Sequence, residues 1–239
     1  MTLKNELEGL RIAVTGGTSG LGLALVRQLA GGADVAFCAR TPSAVQRTAR
    51  ETGACGIVGD VGRKDDIYPL ALQIAGALGG LDVLVNNASS LGPLPLALNA
   101  DTDCEDLERA MAVNLLGPFR LTKALFGALA ASARQGRGAL VVNISSDAAV
   151  SAYPGWGAYG ASKAGLRHLT AIWGEEARGE GIAFLSIDPG DMDTPLHALA
   201  VPDEDPAGLK RPEMAAAEVI AAILAALPHR ATPVATVNA

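Results

Sequence analysis

Short, nearly unbroken apolar runs rich in Val, Ile, Leu and Ala alternate along the chain with longer stretches of helical periodicity. The runs are RIAVTG (11–16), DVAFCAR (34–40), CGIVGD (55–60), LDVLVNNA (81–88), ALVVNISS (139–146) and IAFLSIDPG (182–190). Consecutive rather than alternating apolar positions predict strands buried on both faces. Helical patterns occupy 21–32, 42–53, 65–80, 104–134 and 158–181, and a last one covers 212–227. Their punctuation agrees: Thr41 and Pro42 read as N-cap and first helical residue, and glycine pairs at 31–32 and 79–80 as stops. Pro118 is expected to break or kink the long segment 104–134. TPVATV at 232–237 is expected as a seventh strand.

A repeating βα pattern with right-handed crossovers gives a parallel sheet covered by helices on both faces. The expected architecture is one doubly wound, Rossmann-like α/β domain over 1–239, with about seven strands. The segment 191–212, rich in Pro and Asp and without periodicity, reads as a loop that serves as a substrate lid. A plain surface loop is the alternative.

Composition narrows the classes. The chain has 239 residues, 49% hydrophobic and only 4% aromatic, with 28 glycines, as suits an Ala/Val/Leu-rich α/β protein with tight turns. A formal net charge of −6 offers no basic surface for nucleic acid. The N-terminus lacks the apolar core of a secretory signal, and Glu218 interrupts the longest apolar run, so no membrane span is expected. Cys38, Cys55 and Cys104 are odd in number and widely spaced, which argues against disulfide and metal roles. A soluble, cytoplasmic protein is expected.

Two stretches carry chemistry. The first strand runs into TGGTSGLG (15–22) and directly into a helix. Gly16, Gly20 and Gly22 would let the backbone approach a pyrophosphate, with the helix N-terminus supplying N–H groups and Thr18 and Ser19 hydroxyls. A generic strand–helix turn is the alternative. Arg40 ends the second strand without a neighbouring acid, which suits a ribose 2′-phosphate and favours NADP(H), with NAD(H) possible. Asp60 could accept from an adenine amino group or cap its own loop. The second stretch is YGASK, where Tyr159 and Lys163 would share one helix face. A phenol of pKa about 10 becomes a useful acid or base near neutrality if a cation stabilises its phenolate.

These elements together resemble the classical short-chain dehydrogenases/reductases over nearly the whole chain: TGGTSGLG, Asp60–Val61, NNA (86–88), Asn114, NISS, YGASK, and Pro189–Gly190 followed by Thr194. The resemblance implies a catalytic tetrad of Asn114, Ser146, Tyr159 and Lys163. Ser146, not Ser145, stands the family's thirteen positions before the tyrosine. It implies hydride transfer between nicotinamide and a ketone or aldehyde. Ser146 would orient the substrate oxygen and Tyr159 would donate or take the proton. Lys163 would depress the tyrosine pKa and hold the ribose, and Asn114 would anchor a relaying water. Further cofactor contacts are implied for Leu21, Val61, Asn87, Ala88, Pro189, Gly190, Met192 and Thr194, while Asn86 ties neighbouring strands.

The chain departs from the family pattern at Ser89, where a glycine is usual, and in its ending TPVATVNA. The resemblance also implies a homodimer or homotetramer. The substrate walls, 89–96, 150–156 and 196–201, are mostly apolar, so a small apolar carbonyl or secondary alcohol is expected. A catalytically idle cofactor-binding regulator or scaffold is the alternative reading. An extended-branch epimerase or dehydratase is disfavoured by the spacing of the glycine turn.

Overall fold

The computed structural model describes residues 3–228; the expected strand at 232–237 lies outside the described residues. In chain order the elements are α1 (Leu3–Leu7), β1 (Arg11–Thr15), α2 (Gly20–Leu29), β2 (Asp34–Ala39), α3 (Pro42–Thr52), β3 (Cys55–Val58), α4 (Lys64–Leu78), β4 (Val83–Asn86), α5 (Cys104–Met111), α6 (Gly117–Arg134), β5 (Leu140–Ile144), α7 (Gly157–Glu176), β6 (Ala183–Ile187), α8 (Pro195–Ala200) and α9 (Pro212–Ala226). The six strands form one parallel sheet in the order β3-β2-β1-β4-β5-β6. The winding reverses between β1 and β4, and in such sheets the cleft lies beyond the strand C-termini at that point.

Side chains of β1, β2, β4, β5 and β6 split between two cores. Edge strand β3, expected to be buried on both faces, buries only Ile57 and leaves Cys55 and Val58 exposed, because no strand among the described residues lies beyond it. Ile12 and Val14 pack with Leu25 and Leu29 of α2 and Val219 and Ile223 of α9. Ala13, Leu84 and Val141 face the other way, against Leu70 and Ile74 of α4 and Leu121 and Leu125 of α6. Burial on both faces explains the unbroken apolar runs. Asn86 and Asn143 stand in register on β4 and β5, and the Asn86 amide donates to Asn143 Oδ1 at 2.8 Å. The expected tie between strands is there.

Two expectations change. Pro118 does not break the long helical segment. A π-helical turn, Ala112–Leu116, joins α5 to α6, with the Gly117 N–H reaching back to the Ala112 carbonyl. Pro118 has no N–H for the Asn114 carbonyl four residues earlier, so widening the ladder costs less here than elsewhere. The lid is not merely a loop either. Thr194 caps α8 by accepting the His197 N–H at 3.2 Å, and Pro195 occupies its first turn. The segment's far end is strapped back: the Asp193 backbone N–H donates to the Lys210 carbonyl at 3.0 Å and the Lys210 backbone N–H to the Asp191 carbonyl at 3.2 Å.

At the N-terminal end of the strands, Asp82 is fully buried between two arginines. Arg11 Nη2 donates to Oδ1 at 2.7 Å and Arg137 Nη2 to Oδ2 at 2.9 Å. Arg11 Nε at 3.2 Å, Arg137 Nε at 3.1 Å and the Arg11 backbone N–H at 3.0 Å also donate to this carboxylate. Burial alone would raise the Asp82 pKa, but the hydrogen bonds from Arg11 and Arg137 override it and hold it at about 2.

Candidate active site

A cleft of about 790 Å³ opens at the C-terminal ends of the strands, running from the glycine turn to the lid. The turn's glycines are required by close approach. Gly16 has φ +72°, and a Cβ there would sit 3.0 Å from the Ala88 Cα. A Cβ on Gly22 would collide with the Gly16 carbonyl. The turn is clamped from behind: Thr15 Oγ1 accepts from the Asn87 N–H at 2.9 Å and the Ala88 N–H at 3.0 Å. The Asn87 amide in turn donates to the Thr15 carbonyl at 2.9 Å. The Asn87 side chain is thus occupied in holding the turn, a job that sequence reasoning did not give it, and Thr15 was missed altogether.

What the turn offers the cleft is unspent donors. Ser19 is the N-cap of α2, yet its hydroxyl makes no capping bond. Thr18, Gly20, Leu21, Val61 and Ala88 line the same space. Arg40 is exposed on the cleft rim and makes no ion pair among the described residues. Asp60 Oδ1 accepts the Gly62 N–H at 2.9 Å, so one oxygen caps the loop. This backbone geometry fits a dinucleotide: a crowded glycine turn at a helix N-terminus with free hydroxyls and an unpaired cation beyond it.

The reactive end is built from β5, α7 and the π turn. Tyr159 and Lys163 lie one turn apart on α7, with Nζ 5.6 Å from the phenol ring centre. Lys163 is wholly buried, donating to the Ile144 carbonyl at 2.8 Å. Burial pulls its pKa down to about 8, with Asp188 acting weakly in the opposite direction. Tyr159 is 8% exposed and packs edge-on against Trp156 at 5.6 Å. Its pKa is raised by burial; hydrogen bonds with Ser146 and Ser89 act against that rise. In the protein alone, therefore, desolvation outweighs the two serine hydroxyls.

The two serines at the end of β5 differ in their surroundings. Both line the cleft, but the Ser145 hydroxyl is buried without a partner, whereas the Ser146 hydroxyl acts on the phenol. Ser146 donates to Asp147 Oδ1 at 3.0 Å, and Tyr153 donates to Oδ2 at 2.7 Å. Asp147 thus places a carboxylate in the cleft just before the expected wall 150–156, held by Tyr153 of that wall. Asn114 is fully buried and its amide is saturated. Oδ1 accepts from the Ser90 N–H at 2.8 Å and the Ser89 hydroxyl at 3.2 Å. Nδ2 donates to the Ser90 carbonyl at 2.7 Å and Ser162 Oγ at 2.8 Å. The side chain has no capacity left for a water; any such water would have to use the Asn114 backbone carbonyl, deprived of its α-helical partner by Pro118.

The lid contributes Leu196, Leu199, Ala200 and Val201 to the cleft, with Thr194 packed against Gly20. Met192 pairs with Lys210 in a short bridge, and Gly190 takes φ +77° after Pro189. His197 is tied to Glu204 at 2.7 Å rather than free. Lys210, unremarked in the sequence, donates to the Pro189 carbonyl at 3.1 Å and pairs with Glu218 at 2.7 Å. Among the described residues no group of side chains could hold a metal ion, and no helix is long and apolar enough to cross a membrane.

A glycine turn at the switch point and a Ser–Tyr–Lys cluster at the next strand ends define a Rossmann-type dinucleotide enzyme class. The short chain dehydrogenase family matches residues 11–205, and the chain belongs to it. An uncharacterized short-chain type dehydrogenase/reductase of Sinorhizobium fredii is 35% identical over 193 residues, 80% of this chain but only 34% of that protein. The crystal structure of 3-ketoacyl-(acyl-carrier-protein) reductase from Brucella melitensis complexed with NADH superposes with a TM-score of 0.83 at 27% identity, covering 91% of each chain. A short chain dehydrogenase from Shigella flexneri complexed with NADP has a TM-score of 0.78 at 27% identity, covering 88% of this chain and 89% of that one.

Proposed function

We propose that the protein is an NAD(P)-dependent oxidoreductase interconverting a small carbonyl compound and its alcohol, with Tyr159 as the acid/base. The observation that carries this reading is the meeting of Ser146, Tyr159 and Lys163 in one cleft with the glycine turn. The nicotinamide would supply or accept the hydride. Gly16, Thr18, Ser19 and Gly20 would hold the pyrophosphate, and Asp60, Val61 and Ala88 would flank the adenosine. Pro189, Gly190, Met192 and Thr194 would border the nicotinamide. The two related structures carry NADH and NADP respectively. Arg40, exposed and without an ion-pair partner, supports NADP(H) as the preferred form.

In carbonyl reduction, negative charge develops on the substrate oxygen. Ser146 turns its hydroxyl from Asp147 toward that oxygen, and Tyr159 hands over its proton. The Lys163 ammonium stabilises the phenolate left behind, an attraction strengthened by its burial. In alcohol oxidation the phenolate takes the proton instead. Leu107, Leu116, Phe119 and Ile172 stay exposed on α5, the π turn, α6 and α7. That apolar surface supports assembly of copies through these helices, to be checked by light scattering. Free thiols and a dinucleotide-coupled reaction suit a cytoplasmic setting.

The test is NADPH oxidation, followed by absorbance, against a panel of ketones and aldehydes. Turnover of one of them, lost in Tyr159→Phe with NADPH affinity kept, supports the enzyme. Tight NADPH binding with no turnover across the panel would instead favour an idle cofactor-binding scaffold.

A further inference from the structure

The loop after β4 carries a hydroxyl where the family resemblance implies a glycine, and that loop is held with unusual firmness. Asn114 clasps the Ser90 backbone at both its polar groups, at 2.8 and 2.7 Å. The same Asn114 oxygen takes the neighbouring Ser89 hydroxyl at 3.2 Å. Ser162 continues the chain, receiving from Asn114 and donating to the Tyr159 carbonyl at 2.7 Å. Ser89 therefore stands in the cleft with its rotamer held, on a network that also holds the backbone of Tyr159.

We propose that Ser89 is a positioning residue for Tyr159, a second hydroxyl beside the phenol that turns to the phenolate oxygen whenever the proton has left. Ser146 and Ser89 line the same cleft as Tyr159, and both hydroxyls act to lower the phenol's pKa, Ser146 the more strongly. Their protons are committed differently. Ser146 donates to a carboxylate at 3.0 Å, a charge-assisted bond, whereas Ser89 donates to a neutral amide at 3.2 Å. A charge-assisted bond is roughly twice as strong as a neutral one. Turning Ser89 toward a new negative charge therefore forfeits less than turning Ser146. The two hydroxyls divide the work: Ser146 serves the substrate oxygen and Ser89 the tyrosine oxygen. No atom is transferred by Ser89; its O–H changes acceptor from Asn114 to the phenolate, and the Asn114 oxygen keeps the Ser90 N–H. Since no non-glycine residue among the described ones has positive φ, position 89 accepts alanine without backbone strain.

This rests on Tyr159 being the acid/base, and its test is chosen to work without turnover. The chain has three tyrosines, so isotope labelling of tyrosine at Cζ gives few NMR signals, with Tyr159→Phe assigning the relevant one. Titration with saturating NADP⁺ present reads the phenol directly. Ser89→Ala should move the Tyr159 titration upward by about one pH unit, the effect of losing one donor to an anion. Ser89→Thr, which keeps the hydroxyl, should leave it near wild type. With an alcohol substrate found in the panel, the rising limb of kcat/KM against pH should move by the same amount while the KM for NADP⁺ stays put. A titration unchanged in Ser89→Ala, or a lower kcat with no movement along the pH axis, overturns the proposal. A wild type without turnover, by contrast, counts against the enzyme reading and leaves the phenol titration to decide Ser89.

Discussion

The two ends of the sheet handle buried charge in opposite ways. At the N-terminal end Asp82 is wholly enclosed, but Arg11 and Arg137 both reach it, and Ser132 joins the network through Arg11 at 2.7 Å. At the C-terminal end Lys163 is as deeply buried, and its ammonium has one neutral acceptor, the Ile144 carbonyl. The pKa values follow: Asp82 is held down at about 2, its charged form favoured, whereas Lys163 falls to about 8, its charged form disfavoured. The lower end spends its charges on each other. The upper end keeps one unmatched, in a cleft where a reaction that generates negative charge would match it. What looks like poor satisfaction in the folded chain is thus a store of attraction for a phenolate.

The sharpest way to break that contrast is to remove the phenol. Tyr159→Phe should lower turnover by about 10³-fold, within the range for losing a general acid, and leave NADPH affinity and the melting temperature nearly unchanged. Asp82→Ala should do the reverse. It leaves two arginines facing a buried gap, for a loss of about 3 kcal/mol in urea unfolding, with residual activity per folded molecule near wild type. The acid dependence belongs to the same residue. Because folding depresses the Asp82 pKa, its contribution is complete above the unfolded value of 3.8 and is lost as pH falls from there toward about 2. In Asp82→Ala the acid transition should begin from a lower plateau and be shallower in that window.

Lys163→Met inverts the sign. Lowering a lysine from 10.5 to about 8 corresponds to roughly 3 kcal/mol against the buried ammonium. Replacing it with an apolar chain of similar length should therefore stabilise the fold by about 1–3 kcal/mol at pH 7 while removing activity. The sign against pH is fixed too. The charge penalty is present below about 8 and is relieved as pH rises from there toward 10.5, so the variant's advantage should shrink across that range. A Lys163→Met protein less stable than wild type at pH 7 would mean that the two ends are built alike.

The contrast was only half legible in the sequence. The glycine turn, the strand runs and YGASK are local patterns, and each chemistry-bearing side chain of the upper end sits next to its own motif. Arg11, Asp82 and Arg137 lie 71 and 55 positions apart, so nothing local marks them as one network. The saturation of Asn114 was hidden for the same reason: its partners come from the β4 loop and α7. One local signal was passed over and another was taken for a break or kink. Thr194 followed by Pro195 repeats the Thr–Pro pair at 41–42, though only Thr194 makes a side-chain capping bond, and the surrounding Pro and Asp masked α8. Pro118 marked an irregularity, and the π turn, rather than a break, follows from which carbonyl it deprives. The five residues of α1 were too few to show periodicity.

The smallest expected effect sharpens the rule that unmatched charge at the upper end waits for a ligand. Arg40 is exposed and has no ion-pair partner among the described residues, so it contributes nothing to the fold that its removal could take away. Arg40→Ala should leave the urea midpoint where it is. If the guanidinium meets a 2′-phosphate, the Kd for NADPH should rise about tenfold, one charge-assisted contact's worth, and the Kd for NADH should stay the same. Raising the salt concentration should shrink the wild-type preference toward that of the variant, since an exposed pair is screened. Equal losses for both cofactors would assign Arg40 to the adenosine face common to both. A wild type that prefers NADH, unchanged by the substitution, would make Arg40 an ordinary solvated side chain and confine the unmatched charge of the upper end to Lys163.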